Sequence, residues 1–234
     1  MGKGGENLHE KHRERLKNRF LAEGLDHFEP HNALELLLFF SIPQKDTNET
    51  AHRLLDRFGS LRGVLDADRE ELLKVPGIGE HSATLLKLIP ALARLYATEP
   101  EKAKTVRLST EEQIGRYLVG RYIGVGVETV YLLLLNNKYD MIDCVKVHEG
   151  SVNSSAITMR KLVDLAIERK ASMAVLAHNH PNGTVIPSSD DMNTTMAVRS
   201  LFGRLDIPLL GHFIVAGDRY YNIFDALPEN LRIF

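Results

Sequence analysis

The spacing of apolar and polar positions changes character once along the chain, near residue 104. Before that point apolar residues recur at helical spacing or in leucine-rich blocks. "HNALELLLFF" is too long and too leucine-rich for an ordinary strand and predicts a buried helix. "TNETAHRLLDRFG" opens on cap-forming residues and closes on Gly59, a natural stop for a helix. "DADREELLKV" offers an aspartate cap with acids in its first turn, and "SATLLKLIPALARLYA" predicts a helix that Pro90 should kink or divide. "TEPEKAKTVRLS" is charged, contains Pro100 and has almost no large apolar residue, so it reads as a linker. The predicted domains are residues 1–104 and 105–234.

Beyond the linker the periods mix. "EEQIGRYLVGRYIG" predicts a short helix, and "ETVYLLLLNNKYDMIDCVKVHEG" a hairpin of two apolar runs around the turn-forming "NNKYD". "TMRKLVDLAIERK" puts Leu162, Val163, Ala166 and Ile167 on one helical face. "ASMAVLAH" is a short buried strand, "SSDDMNTTMAVRSLFGRLD" a second helix, and "LLGHFIVAGDRYYNIF" a closing hairpin around Gly217 and Asp218. The pattern predicts an all-helical N-terminal region followed by a mixed α+β or α/β domain.

Composition adds exclusions. With 29 Lys+Arg against 31 Asp+Glu the net charge is −2, which argues against a strongly basic nucleic-acid binder and leaves room only for a local patch. No apolar run reaches membrane-spanning length, and the start, "MGKGGENLHEKHRERLK", lacks the apolar core of a secretory signal. The single cysteine, Cys144, excludes an internal disulfide framework and fits a reducing compartment, so the expected location is cytoplasmic. Cys144 falls in a predicted strand with no base beside it and reads as an inert buried thiol.

The chemistry concentrates in "LAHNHPNGTVIPSSDD", residues 176–191. Side chains alternate along an extended backbone, so His178 and His180 point to one side and Asn179 to the other. Two imidazoles one pleat apart can reach a single ion, and zinc takes neutral imidazole nitrogen with a third protein ligand. Asp191 fits that need: Ser188 is a natural helix N-cap and Asp191 its third helical residue. Asp190 is the alternative and would project from another side of that turn. Taken singly, each element has a bland reading: about 0.4 His-x-His pairs are expected by chance from ten histidines in 234 positions, and Ser-x-x-Asp alone is commonly just a cap. The fixed offsets of Pro181, Ser188 and Asp191 from the histidines separate this stretch from chance.

"HNHPNGTVIPSSDD" resembles the JAMM (MPN+) metalloprotease motif, His-x-His-Pro with seven residues, the proline included, between the second histidine and Ser-x-x-Asp. The wider pattern is similar to RadC-type proteins, in which a helix-hairpin-helix region precedes a JAB/MPN-type β-sheet domain flanked by helices. "GIG", "ETVYLLLLNNK", "EGSVNSS", "LAHNHPNG" and "GHFIV" carry that likeness over nearly the whole chain. Two departures stand out: "ITMRK" replaces the expected helix start, and Gly211 precedes His212 where an aspartate is usual. The resemblance implies Zn2+ at His178, His180 and Asp191, and peptide or isopeptide hydrolysis of a protein substrate by a metal-activated water. It also implies an upstream glutamate as general base, with Glu128 and Glu149 as candidates; Glu128 matches the glutamate that precedes the family's first core strand. Ser188 would then stabilise the oxyanion. His148 and His212 read as structural histidines or as outer partners of the site.

"ELLKVPGIGEHSATLLK" resembles a helix-hairpin-helix motif, which implies DNA-backbone contact through Gly77, Ile78 and Gly79. Against it, Glu80 stands where a basic residue is usual, and phosphate affinity rests on lysine and arginine. Two alternatives to the hydrolase therefore stand beside it: a DNA-repair-associated accessory protein, and a metal-dependent nuclease.

Overall fold

Leucine-rich helices fill the N-terminal part of the computed structural model, which describes residues 4–43, 45–98, 105–150 and 159–227. They are α1 (Gly4–Glu23), α2 (Pro30–Leu38), α3 (Asn48–Phe58), α4 (Leu61–Asp66), α5 (Arg69–Leu73) and α6 (Glu80–Thr98). Pro30 opens α2, where its missing N–H costs nothing. Gly59 ends α3 in the left-handed conformation, at φ 78°. Leu34 and Leu38 of α2 meet Ala51 and Leu54 of α3, Val64 of α4, Leu72 of α5 and Leu86 of α6 in one buried cluster. Of the two outcomes expected of Pro90, a kink or a division, α6 is not divided. The helix runs on through it with Ser82, Ala83, Leu86 and Pro90 buried, because a proline removes one hydrogen bond while burial of the face holds the helix together.

By contacts the chain separates into two units, Met1–Leu92 and Ala93–Phe234. Residues 99–104 of the expected linker lie outside the described residues, as does most of "EGSVNSS".

The second unit contains α7 (Glu111–Arg121), β1 (Thr129–Leu135), β2 (Met141–Glu149), α8 (Met159–Glu168), β3 (Met173–Asn179), α9 (Ser189–Gly203), β4 (Leu209–Ala216), β5 (Arg219–Asn222) and a 3-10 turn, Ile223–Ala226. One sheet has the order β2-β1-β3-β4-β5. Among the described strands only β3 and β4 run parallel, with α9 between them in sequence; the other neighbours are antiparallel. The β1–β2 hairpin turns where "NNKYD" predicted, with Asn136 Oδ1 accepting from the backbone N–H groups of Lys138 and Asp140.

Both faces of the sheet are covered, which is why β1 and β3 are buried along their whole length. Val130, Leu132 and Leu134 pack with Leu176, with Leu162 and Ala166 of α8, and with Val198 and Phe202 of α9. Tyr131, Leu133 and Leu135 pack with Val175, Phe213 and with Ile114 and Leu118 of α7. The predicted face of α8 is corrected: Leu162 and Ala166 are buried, with Met159 and Leu165 against the same cluster, while Ile167 is 59% exposed. The sheet takes a narrow stripe spaced by three and four residues, and Ile167 lies one step around the helix from Ala166.

Candidate metal centre

The end of β3 and the start of α9 build the site. His178 pairs across the sheet with Val130 on β1 and Ile214 on β4, so its ring stands on the face that α9 covers. The backbone continues in register one step further, where the His180 N–H donates to the Val215 carbonyl. Alternation then brings both rings to the same side, with His178 Nε2 3.0 Å from His180 Nε2.

Asp191 arrives through a reciprocal helix cap. The Ser188 hydroxyl accepts from the Asp191 N–H at 3.1 Å, and Asp191 Oδ2 accepts from the Ser188 N–H at 2.8 Å and the Ser188 hydroxyl at 2.7 Å. This occupies Oδ2 and leaves Oδ1 facing His178 Nε2 at 3.1 Å. Oδ2 lies 3.7 Å from His180 Nε2. Burial would raise the Asp191 carboxyl, but His178 and the two bonds from Ser188 outweigh it and hold the group well below the usual carboxylate range. Asp190 is exposed beside it and, with Glu128, His180 and Ser188, lines a hollow of about 300 Å³.

The donor set fits a small cation. Ligand atoms each about 2.0–2.1 Å from a tetrahedral ion lie roughly 3.3 Å apart, close to the 3.0 Å between His178 Nε2 and His180 Nε2 and the 3.1 Å between His178 Nε2 and Asp191 Oδ1. The proton inventory leads to the same conclusion. Thr195, one turn after Asp191, donates its hydroxyl proton to the Asp191 carbonyl at 2.6 Å. Its oxygen must therefore accept from His212 Nδ1, also 2.6 Å away. Burial, aided by the neighbouring His178 and opposed by Asp191, pushes the His212 pKa well below its ordinary value. Neutral His212 with its proton on Nδ1 can only accept at Nε2, so His178 Nδ1 donates to it at 2.8 Å. In the neutral form that a metal requires, His178 then has its lone pair on Nε2. His180 does likewise, since its Nδ1 lies 3.0 Å from the Thr184 carbonyl, which can only accept. Two lone pairs and a carboxylate oxygen thus face one point, an arrangement that a cation stabilises.

Glu128 directly precedes β1, and its carboxylate comes within 4.8 Å of the ligand atoms of His178 and His180. Asn179, between the two histidines, holds this segment from the other face of the sheet. Its Oδ1 accepts from the Thr129 N–H at 2.7 Å, and its Nδ2 donates to the carbonyls of Val125 at 3.2 Å and Val127 at 3.1 Å. Glu149, the other candidate base, is ion-paired with Lys146 and sits across from Thr129, on the face away from the histidines.

No motif announces Asn179 or Thr195 as parts of the site; their signals were present but weak, the residue between two ligands on a strand and the residue one turn after Asp191. His212, open in the sequence between a structural histidine and an outer partner of the site, is set by strand register beside Leu176 and bonds to His178. Gly211 faces the other way, beside Val175, and a Cβ there would lie 2.9 Å from Asn222 Oδ1. The departure from the family pattern therefore leaves the histidine site untouched. Cys144 lies apart from it and is half-buried, not fully buried as expected; desolvation pushes its thiol up to about 11 against the opposing pull of Arg121.

In the hairpin between α5 and α6, Gly77 has φ 97° and Ile78 is buried in the helical core. The nearby cations are engaged: Lys87 donates to the carbonyls of Leu65 and Ala67, Lys74 pairs with Glu71, and Arg69 with Glu80.

Comparison with known proteins gives two family matches. The family described as RadC-like JAB domain matches residues 108–227. The SAM-like helix-hairpin-helix tandem matches residues 47–89. The chain is 29% identical over 220 residues to a UPF0758 protein of Fusobacterium nucleatum, covering 92% of this chain and 95% of the relative. It is 32% identical over 207 residues to a UPF0758 protein of Stenotrophomonas maltophilia, covering 88% of each. A UPF0758 protein of Shewanella oneidensis is 29% identical over 203 residues, 87% of this chain and 89% of the relative.

Proposed function

This chain belongs to the RadC family of JAB-domain proteins, a branch of a hydrolase-related superfamily, and from that premise we propose that it is a zinc-dependent hydrolase of peptide or isopeptide bonds. The observation that carries the reading is the convergence of His178 Nε2, His180 Nε2 and Asp191 Oδ1, with Glu128 beside them. These three side chains would hold the ion, Asp191 being preferred over the exposed Asp190. Zinc, when bound, supplies a water whose pKa falls to about 7 and polarises the scissile carbonyl.

The chain's own residues do the rest. Glu128 takes the proton of the attacking water and delivers it to the leaving amine. Asn179 keeps Glu128 in reach by fixing the backbone on both sides of it. His212 and Thr195 keep the proton of His178 on Nδ1. Ser188 orients Asp191 in this structure, and stabilises the oxyanion by turning its proton away from Oδ2. An oxyanion donor of this kind contributes about 3 kcal/mol.

The test is hydrolysis of peptide and ε-lysyl isopeptide libraries by zinc-loaded protein, with Glu128→Gln as control. Cleavage that falls by about two to four orders of magnitude in the variant is expected. A protein holding one zinc that cleaves no amide overturns the peptidase reading. The second reading, action at DNA, draws on the helix-hairpin-helix match. The engaged state of Lys74 and Lys87 weakens it, and a salt titration of DNA binding decides it.

A further inference from the structure

On the face of the sheet away from the histidines lies a hollow of about 370 Å³ lined by Arg94, Arg121, the 124–127 loop, Tyr131, Lys146 and Glu149. We propose that this hollow is a binding site for the anionic group of a small ligand, a carboxylate or phosphoryl group gripped by Arg94 and Arg121. Lys146 and Glu149 pair with each other and cancel. That leaves two half-buried guanidinium groups which, among the described residues, have no carboxylate partner.

Both arginines are held in place by neutral groups instead. Arg94 Nη1 donates to the Ile123 carbonyl at 3.0 Å, and the Arg121 guanidinium lies 4.6 Å over the Tyr131 ring. A guanidinium positioned in this way keeps further N–H donors for a planar or tetrahedral oxyanion. The negative end of α7 accounts for one cation at Arg121, in its last turn. It does not account for a second from α6 at the same rim. Nor does general basicity, since the protein is net −2.

The hollow is distinct from the candidate metal centre but tied to it. Val127 and Thr129 line the hollow, while Glu128 between them lines the histidine site. Asn179 anchors the loop through the carbonyls of Val125 and Val127. An anion held there lies against the segment that delivers Glu128. The inference stands whether or not the metal reading holds.

The test is a titration followed by the backbone amide NMR signals of Gly124 and Gly126, at ionic strength held constant with chloride. The probes are inorganic phosphate, glycylglycine and glycylglycine amide. Saturable shifts with phosphate identify a phosphoryl ligand; shifts with glycylglycine but not its amide identify a carboxylate. Either supports the site if Arg94→Gln weakens it about tenfold or more, as loss of a charged hydrogen bond should. Arg121→Gln should act likewise, and because Arg121 packs on Tyr131, Arg121→Lys serves as the version that keeps charge and fold. Shifts that are absent or never saturate, or that persist unchanged in folded Arg94→Gln and Arg121→Gln, overturn the proposal.

Discussion

Replacing Asn179 with leucine separates the two halves of the proposed site. The side chain is 5% exposed and makes three hydrogen bonds, to the Thr129 N–H and the carbonyls of Val125 and Val127. Leucine has similar volume and no polar atom, so the loss is polar and not a cavity. The Val127 carbonyl keeps the Thr129 hydroxyl at 3.1 Å, and the half-buried Val125 carbonyl can turn to water. The Thr129 N–H, in a residue 1% exposed, is orphaned. One orphaned donor costs about 1–3 kcal/mol, and the weakened carbonyls bring the total to about 2–4 kcal/mol. For a chain of this size that lowers Tm by roughly 5–15 °C. Calorimetry with and without saturating zinc measures it, alongside amide hydrolysis. The zinc-induced rise in Tm should survive, because His178 and His180 project from the opposite face, while hydrolysis falls more than about tenfold as Glu128 loses its anchor. A Tm within about 1 °C of wild type, or loss of zinc binding together with activity, would refute the reasoning.

Thr195→Val removes the acceptor that fixes His212, and should weaken zinc binding about 10–100-fold, read by chelator competition, while Thr195→Ser restores it. In the hairpin, Gly77→Ala should cost about 1–3 kcal/mol in denaturant unfolding, since φ is 97° and a Cβ would lie 2.6 Å from Thr50 Oγ1. Gly79→Ala meets nothing within 4 Å and should be neutral within about 0.5 kcal/mol. Cys144, with its thiol raised to about 11, should react slowly with a disulfide reagent at pH 8 in the native state and fast once unfolded. The folded state keeps the thiol protonated where the unfolded state does not. Cys144 therefore contributes stability that is full below about pH 8.5 and lost as pH rises toward 11, a dependence that Cys144→Ala should remove.

The legible parts of this molecule are the local ones. Strand alternation puts His178 and His180 together, and a capping box sets Asp191 relative to Ser188; both depend on contiguous residues, and the structure brings the two pieces within 3.7 Å. The two hairpins could be read because turn chemistry marks them. What the sequence left open, the role of His212, and what it missed, that of Asn179, both depend on register between distant segments. His212 reaches His178 because β4 pairs in parallel with β3, and Asn179 reaches Thr129 because β1 lies on the other side of β3. No periodicity encodes either neighbour. Ile167 falls outside the buried face expected for it because an apolar residue one step outside the stripe looks like part of it.

The most direct test of the metal centre is zinc stoichiometry by elemental analysis in wild type, His178→Ala, Asp191→Asn and Glu128→Gln. The account predicts about one equivalent in wild type and in Glu128→Gln, and none in the other two. Wild type that takes up no zinc at neutral pH, or Glu128→Gln that loses it as completely as His178→Ala, would contradict the assignment of Glu128 as base and of the two histidines and Asp191 as ligands.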